Sequence, residues 1–178
     1  MYADSCFEIY IDLSNKRMDE ETLKKMNLAP GFFQVTIKAL FSQVIIVLGK
    51  IYENSKSRNL INLMNIGKEH RDNFEFCPEE VSLENIRKLE NELEEKEKIV
   101  SNLFKWRNKV HAHYDKKYFL NSDDLYKDAP LKVEDIRKLL KFGEKVINTF
   151  MVSHSNESTI ISATNRLDID NILNRIEL

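Results

Sequence analysis

Between Phe32 and Tyr52, apolar residues recur at positions 33, 37, 40, 41, 44, 48 and 51, the three- and four-residue spacing of one helical face. Val35 and Ile46 put apolar side chains on the remaining faces, which predicts a central helix contacted on several sides. Leu60, Ile61, Leu63, Met64 and Ile66 predict a short helix that stops before Gly67. Pro78-Glu79-Glu80 reads as a helix start, because proline is tolerated in a first turn and acidic side chains suit it. Ile86, Leu89, Leu93, Val100, Leu103, Phe104 and Val110 then trace one face of a helix running to about residue 113. Glu90, Glu92, Glu94, Glu95 and Glu97, mixed with Lys96 and Lys98, mark its solvated side rather than a binding tail. Val133, Ile136, Leu140, Val146, Ile147 and Phe150 predict a long helix over 132–152.

Other segments are less determined. Residues 3–13 fit a first helix, while their partial alternation also permits a strand. A polar helix is predicted over 19–27, stopped by Ala29-Pro30-Gly31, with polar connections at 53–58 and 153–158. Residues 121–130 read as a loop with at most one short turn of helix. Leu167, Ile169, Ile172, Leu173 and Ile176 form a C-terminal helix or a strand-like arm that needs an apolar partner.

Composition sharpens this picture. In 178 residues there are four Gly and three Pro, and 31% of the chain is charged, which favours long helices over a turn-rich β architecture. One domain over 1–178 is expected, with a core at about 30–152 and appendages at 1–29 and 153–178. A net charge of −2 supplies no global attraction to nucleic acid, so any RNA contact must use a local basic patch. Cys6 and Cys77 have no metal-ligand spacing; reduced thiols in a cytosolic compartment are the simpler reading, with a disulfide left open. The N-terminus lacks the basic and apolar regions of a signal peptide. Phe32–Leu48 is interrupted by Gln34, Lys38 and Gln43 and reads as a buried core helix rather than a membrane span. A cytoplasmic protein with no membrane partner is the expectation.

The chemistry concentrates in Trp106-Arg107-Asn108-Lys109-Val110-His111-Ala112-His113-Tyr114-Asp115-Lys116-Lys117. RNA cleavage needs a proton removed from a 2′-OH, a proton given to the leaving 5′ oxygen, and stabilisation of the charged intermediate. Histidine suits the first two tasks and the arginine fork the third. His111 lies four residues after Arg107, directly above it on an ideal helix. His113 lies six residues on, roughly 240° around the axis. Lys105, Lys109, Lys116 and Lys117 add positive charge suited to phosphates, and each is equally an ordinary exposed lysine. Tyr114 and Trp106 offer rings for stacking bases, with core or interface packing the better use of Trp106. The structural use of the same helix-end residues is to cap carbonyls and pair with carboxylates on a neighbouring helix.

Other chemistries have little support. His111-Ala112-His113-Tyr114-Asp115 matches H-x-H-x-D, but Lys116 stands where a third histidine would be needed, and His70 and His154 have no supporting spacing. No phosphate-cradling glycine loop, Ser or Cys nucleophile arrangement, metal or cofactor is indicated.

Arg107, Asn108 and His113 together resemble the R-[N/D/H]-x(3–5)-H signature of HEPN domains, and Ala112-His113-Tyr114-Asp115-Lys116 resembles the A-H-x-D-K of their abortive-infection, AbiU-type branch. Ile51-Tyr52-Glu53 and Asn59-Leu60-Ile61-Asn62-Leu63-Met64 are similar to that family's L-Y-D … S-L-x-x-L-L passage. The resemblance implies an all-α, HEPN-like antiparallel helical bundle with additional terminal helices. It implies a metal-independent endoribonuclease of an abortive-infection or toxin-type defence system, without cofactor. The site would be composite, formed where two copies of the motif face each other in a homodimer, with RNA as substrate and an antitoxin or other defence-system protein as a further partner. The family pattern selects Arg107 and His113, with Asn108 holding a phosphate or orienting the histidine and His111 as the fallback. Asp115 would fix a ring tautomer or pair with Lys116. HEPN toxins modified by minimal nucleotidyltransferases carry Tyr two positions after the motif histidine; here that position is Asp115, and Tyr114 is one residue early. The alternative is a non-catalytic helical scaffold or a ligand- or protein-binding module. Accessible motifs facing each other in a dimer favour the enzyme, and motif side chains held in intrachain salt bridges favour the scaffold.

Overall fold

Pro30 opens the longest apolar helix, in the first turn, where its missing N–H would have had no intrahelical acceptor. The computed structural model describes residues 2–55, 58–108, 122–158 and 167–176. Among them the elements are helical: α1 (Tyr2–Lys16), α2 (Glu20–Met26), α3 (Pro30–Ile51), α4 (Leu60–Glu69), a 3₁₀ turn (Arg71–Asn73), α5 (Leu83–Glu94), α6 (Glu97–Trp106), α7 (Ser122–Asp128), α8 (Val133–Ser155) and α9 (Asp168–Leu173). The fold is all-α, with no strand among the described residues. The chain forms two compact units, Met1–Ile45 with Ile161–Leu178, and Ile46–Ile160.

In the first unit, Leu13, Met26, Phe33 and Leu173 form a buried cluster, joined by Ile9, Ile37, Leu40, Ile169 and Ile176. Both terminal segments left open between helix and strand are therefore helices, because each presents apolar residues at helical spacing to this cluster. Tyr10 and Phe41 pack with ring centroids 5.2 Å apart. Asp19 caps α2 by accepting from the Thr22 N–H at 2.7 Å, and that bond holds its carboxyl below the ordinary value. The contact on several sides expected of α3 does not extend to its start, where Val35 is 67% and Phe32 66% exposed. At 22 residues, α3 is close to the helix predicted between Phe32 and Tyr52. By length and composition it is sufficient to cross a membrane, and 22% of its 18-residue apolar stretch is buried.

In the second unit, α4 packs on α5 and α8. Gly67 does not end α4, as the sequence suggested; the helix continues to Glu69, and Gly67 makes room for the Phe150 ring. The expected helix start at Pro78 moves to Leu83, where Ser82 Oγ accepts from the Asn85 N–H at 3.3 Å. The single helix expected to follow is two, α5 and α6, broken at Glu95–Lys96. Between Leu93 and Ile99 every side chain is charged, so no apolar contact enforces continuity, and Lys96 Nζ donates to the Glu92 carbonyl at 3.0 Å. Residues expected as loop form α7, because Leu125 and Ala129 are buried one turn apart. The break expected at 153 shifts to Asn156, a left-handed cap with φ 55°, while Ser153 is buried inside α8 and donates to the Thr149 carbonyl at 2.9 Å. Cys6 and Cys77 are both free thiols.

Candidate functional site

Three side-chain hydrogen bonds lock the second unit around the end of α6. Trp106 is buried and its indole N–H donates to the Ala129 carbonyl at 2.8 Å, with the Tyr126 ring edge-on at 4.8 Å. Its role is therefore packing, not base stacking. Asn102 Nδ2 donates to the Pro130 carbonyl at 2.8 Å, fastening α6 to the chain that enters α8. Tyr52, just past the end of α3, donates its hydroxyl to the Leu139 carbonyl of α8 at 2.6 Å. Burial, followed by the nearby Glu92 charge, pushes its phenol well above the ordinary range.

These anchors present Arg107 to the last turn of α3. At Arg107 and Asn108 the backbone leaves α6 in a π-helical turn, a geometry frequent at functional sites. Arg107 Nη1 donates to the Gly49 carbonyl and to Glu53 Oε1, both at 3.1 Å, and its Nε donates to Asn108 Oδ1 at 3.1 Å. The guanidinium carbon lies 4.9 Å from the centre of the Phe104 ring. Gly49 O belongs to the terminal turn of α3, where carbonyls lack intrahelical donors and the helix dipole favours a cation. The Arg107 side chain is 23% exposed and Glu53 39%, so this ion pair contributes less than about 1 kcal/mol of stability. Its consequence is orientation: Nη1 and Nε are committed, and Nη2 has no partner among the described residues.

Of the residues singled out in the sequence, the structure brings Arg107 and Asn108 together. Asn108 is exposed, and its Oδ1 accepts from Arg107 Nε. Lys105 is exposed on α6 and joins neither. His111, His113, Lys109, Tyr114, Asp115, Lys116 and Lys117 lie outside the described residues. Among the described residues no group of three His, Cys, Asp or Glu side chains could hold a metal ion. The capping and ion-pairing expected of these residues in a structural role is the geometry found for Arg107. Gly49 and Glu53 were not singled out by chemistry. The available signal was the Ile51-Tyr52-Glu53 passage, whose Tyr52 anchors α8 while Glu53 grips the arginine.

The HEPN_AbiU2 family model (AbiU2) matches residues 2–171. No curated protein and no solved structure matches the chain.

Proposed function

The chain belongs to the AbiU2 family of HEPN proteins, and on that premise we propose that it is a metal-independent endoribonuclease of an abortive-infection or toxin-type defence system. The observation that carries the reading is Arg107. It is held by Gly49 O, Glu53 and Asn108 with one terminal nitrogen uncommitted among the described residues, a pre-set donor for a phosphate oxygen. His113, with His111 as the fallback, moves protons at the 2′-OH and the 5′ oxygen. A single chain offers one such arginine, so the site is composite, assembled where two copies of the motif meet in a homodimer. RNA is the substrate, and an antitoxin or another defence-system protein restrains the activity.

The test is cleavage of a mixed RNA pool by purified protein in EDTA, beside the Arg107→Ala and His113→Ala variants. Cutting that persists in EDTA and disappears in folded variants is the expected result. A folded, dimeric wild type that cuts nothing, with or without its neighbouring defence proteins, sinks the reading.

A second reading has one observation in its favour. Arg107 is already engaged by an intrachain carboxylate and a helix-terminal carbonyl, the arrangement of a side chain that fastens α6 to α3. On this reading the protein is a non-catalytic helical scaffold or binding module. Arg107→Ala would then lower the melting temperature while leaving the biological effect intact.

A further inference from the structure

A second cationic site lies on the same unit, away from Arg107. Lys138, Lys141 and Lys145 recur on α8 at the three- and four-residue spacing of one helical face. They share a depression of about 480 Å³ with Lys96, Glu92 and the Phe142 ring at the turn between α5 and α6. Lys96 and Lys145 converge on a single anion. Glu92 Oε1 accepts from Lys96 Nζ at 3.2 Å, while Glu92 Oε2 accepts from Lys145 Nζ. The Lys96 ammonium also lies 4.8 Å from the Phe142 ring centre. Burial alone would raise the Glu92 carboxyl, but the bonds from Lys145 and Lys96 outweigh it and hold it below its ordinary value. Lys138 and Lys141 are exposed and have no carboxylate partner among the described residues. Four lysines face two carboxylates, Glu92 and Glu95, so the depression is cationic on a chain whose net charge is −2.

We propose that this depression is a phosphate-binding exosite for single-stranded RNA. Lys138 and Lys141 contact the backbone directly, and Lys96 and Lys145 exchange the Glu92 carboxylate for a phosphate oxygen. The inference rests on the ribonuclease reading of Arg107 and supplies the local basic patch that a chain of this charge requires. Ile99, at the rim, precedes Arg107 by eight residues, about 12 Å along a helix axis. That separation corresponds to a few nucleotides at the ~3.4 Å spacing of a stacked strand. Glu92 is the built-in competitor: it keeps two ammonium groups pre-assembled and makes weak, non-specific anions poor ligands.

The experiment is binding of a fluorescent single-stranded RNA oligonucleotide by the full chain across a salt series, measured apart from cleavage. Lys138→Ala/Lys141→Ala removes exposed side chains and should leave melting unchanged. It should weaken binding about tenfold and reduce the magnitude of the salt slope by about 1.4, the value for two lost contacts on a single strand. Glu92→Gln should tighten binding by freeing Lys96 and Lys145. Unchanged affinity and slope in the folded double variant overturns the exosite. ATP displacing the RNA as effectively as unlabelled oligonucleotide also overturns it, in favour of a pocket for free nucleotide phosphates. The two readings separate cleanly. Loss of binding in the lysine variant with no cutting by wild type retains the phosphate site and defeats the ribonuclease. Cutting that depends on Arg107 but is indifferent to the lysines does the reverse.

Discussion

Arg107 lies against the bare Cα of Gly49: a methyl group built there would stand 2.5 Å from Arg107 Cδ and 3.3 Å from Cγ. The glycine sits within α3, where its flexibility is a local cost. What it provides is close approach, letting the arginine stem cross the helix so that Nη1 reaches both the Gly49 carbonyl and Glu53. Arg107 is thus oriented from two directions, by α3 below and by Asn108 beside it.

Gly49→Ala separates orientation from stability. The methyl group pushes a flexible side chain aside, and the gain of about 1 kcal/mol in helix propensity offsets an ion pair worth less than that. Melting should therefore shift little. On the ribonuclease reading, RNA cleavage should fall at least about tenfold, because misplacing a phosphate-binding group by an ångström is costly. Unchanged cleavage with unchanged melting would remove Arg107 orientation from the mechanism.

Gly67→Ala tests the same kind of contact where nothing can yield. A Cβ there would stand 2.2 Å from Phe150 Cε1 and 2.7 Å from Cζ. The Phe150 ring is buried and packs edge-on to Phe74 at 5.7 Å. Overpacking of this kind costs about 1–3 kcal/mol, so the urea midpoint should drop at constant m-value. A variant as stable as wild type would mean that α4 and α8 slide apart at no cost.

The two glycines show what the sequence conveyed and what it did not. Helical periodicity located α3, α4 and α8, because amphipathic spacing is a property of one segment. It read Gly67 as a stop, because nothing local announces that Phe150, 83 positions later in the chain, needs the space. The break at Glu95–Lys96 was hidden for a related reason: charged residues are good helix formers, and their failure to continue reflects missing apolar contacts. At the site, Arg107 and Asn108 were legible from their motif. Glu53 was visible only as part of a family passage, since its pairing with Arg107 is tertiary. The lysines at 138, 141 and 145 carried no local signal, because their grouping with Lys96 and Glu92 is tertiary.

Tyr52→Phe should destabilise the second unit by about 1 kcal/mol, the usual worth of one buried hydrogen bond. The hydroxyl is the link from the end of α3 to the Leu139 carbonyl, one residue before the Glu53 that grips Arg107. Because burial pushes the phenol upward, Tyr52 should not ionise with the exposed tyrosines in an ultraviolet titration of folded protein. Ionisation of every tyrosine near the ordinary value without unfolding would contradict the burial.

Asp12 gives the first unit a pH dependence of opposite sign to the usual carboxylate. Burial raises its carboxyl above the ordinary 3.8, and Asp170 adds to the rise against the attraction of Lys16. Lys16 Nζ is 3.7 Å from Asp12 Oδ1 and donates to Asp170, while the buried Asp12 Oδ2 has no hydrogen-bond partner among the described residues. The folded state therefore binds the Asp12 proton more tightly than the unfolded state does. As pH rises from 3.8 through the folded value, the unfolded chain ionises first, and the stability contributed at this site falls. Asp12→Asn keeps the uncharged form at every pH. It should raise the melting temperature slightly at pH 7, by about a degree or two, and the difference from wild type should shrink to nothing as pH falls below 3.8. The Asp12 side chain is 33% exposed, so solvent screening keeps the effect small. A lower melting temperature for Asp12→Asn at pH 7 would show instead that attraction to Lys16 outweighs desolvation.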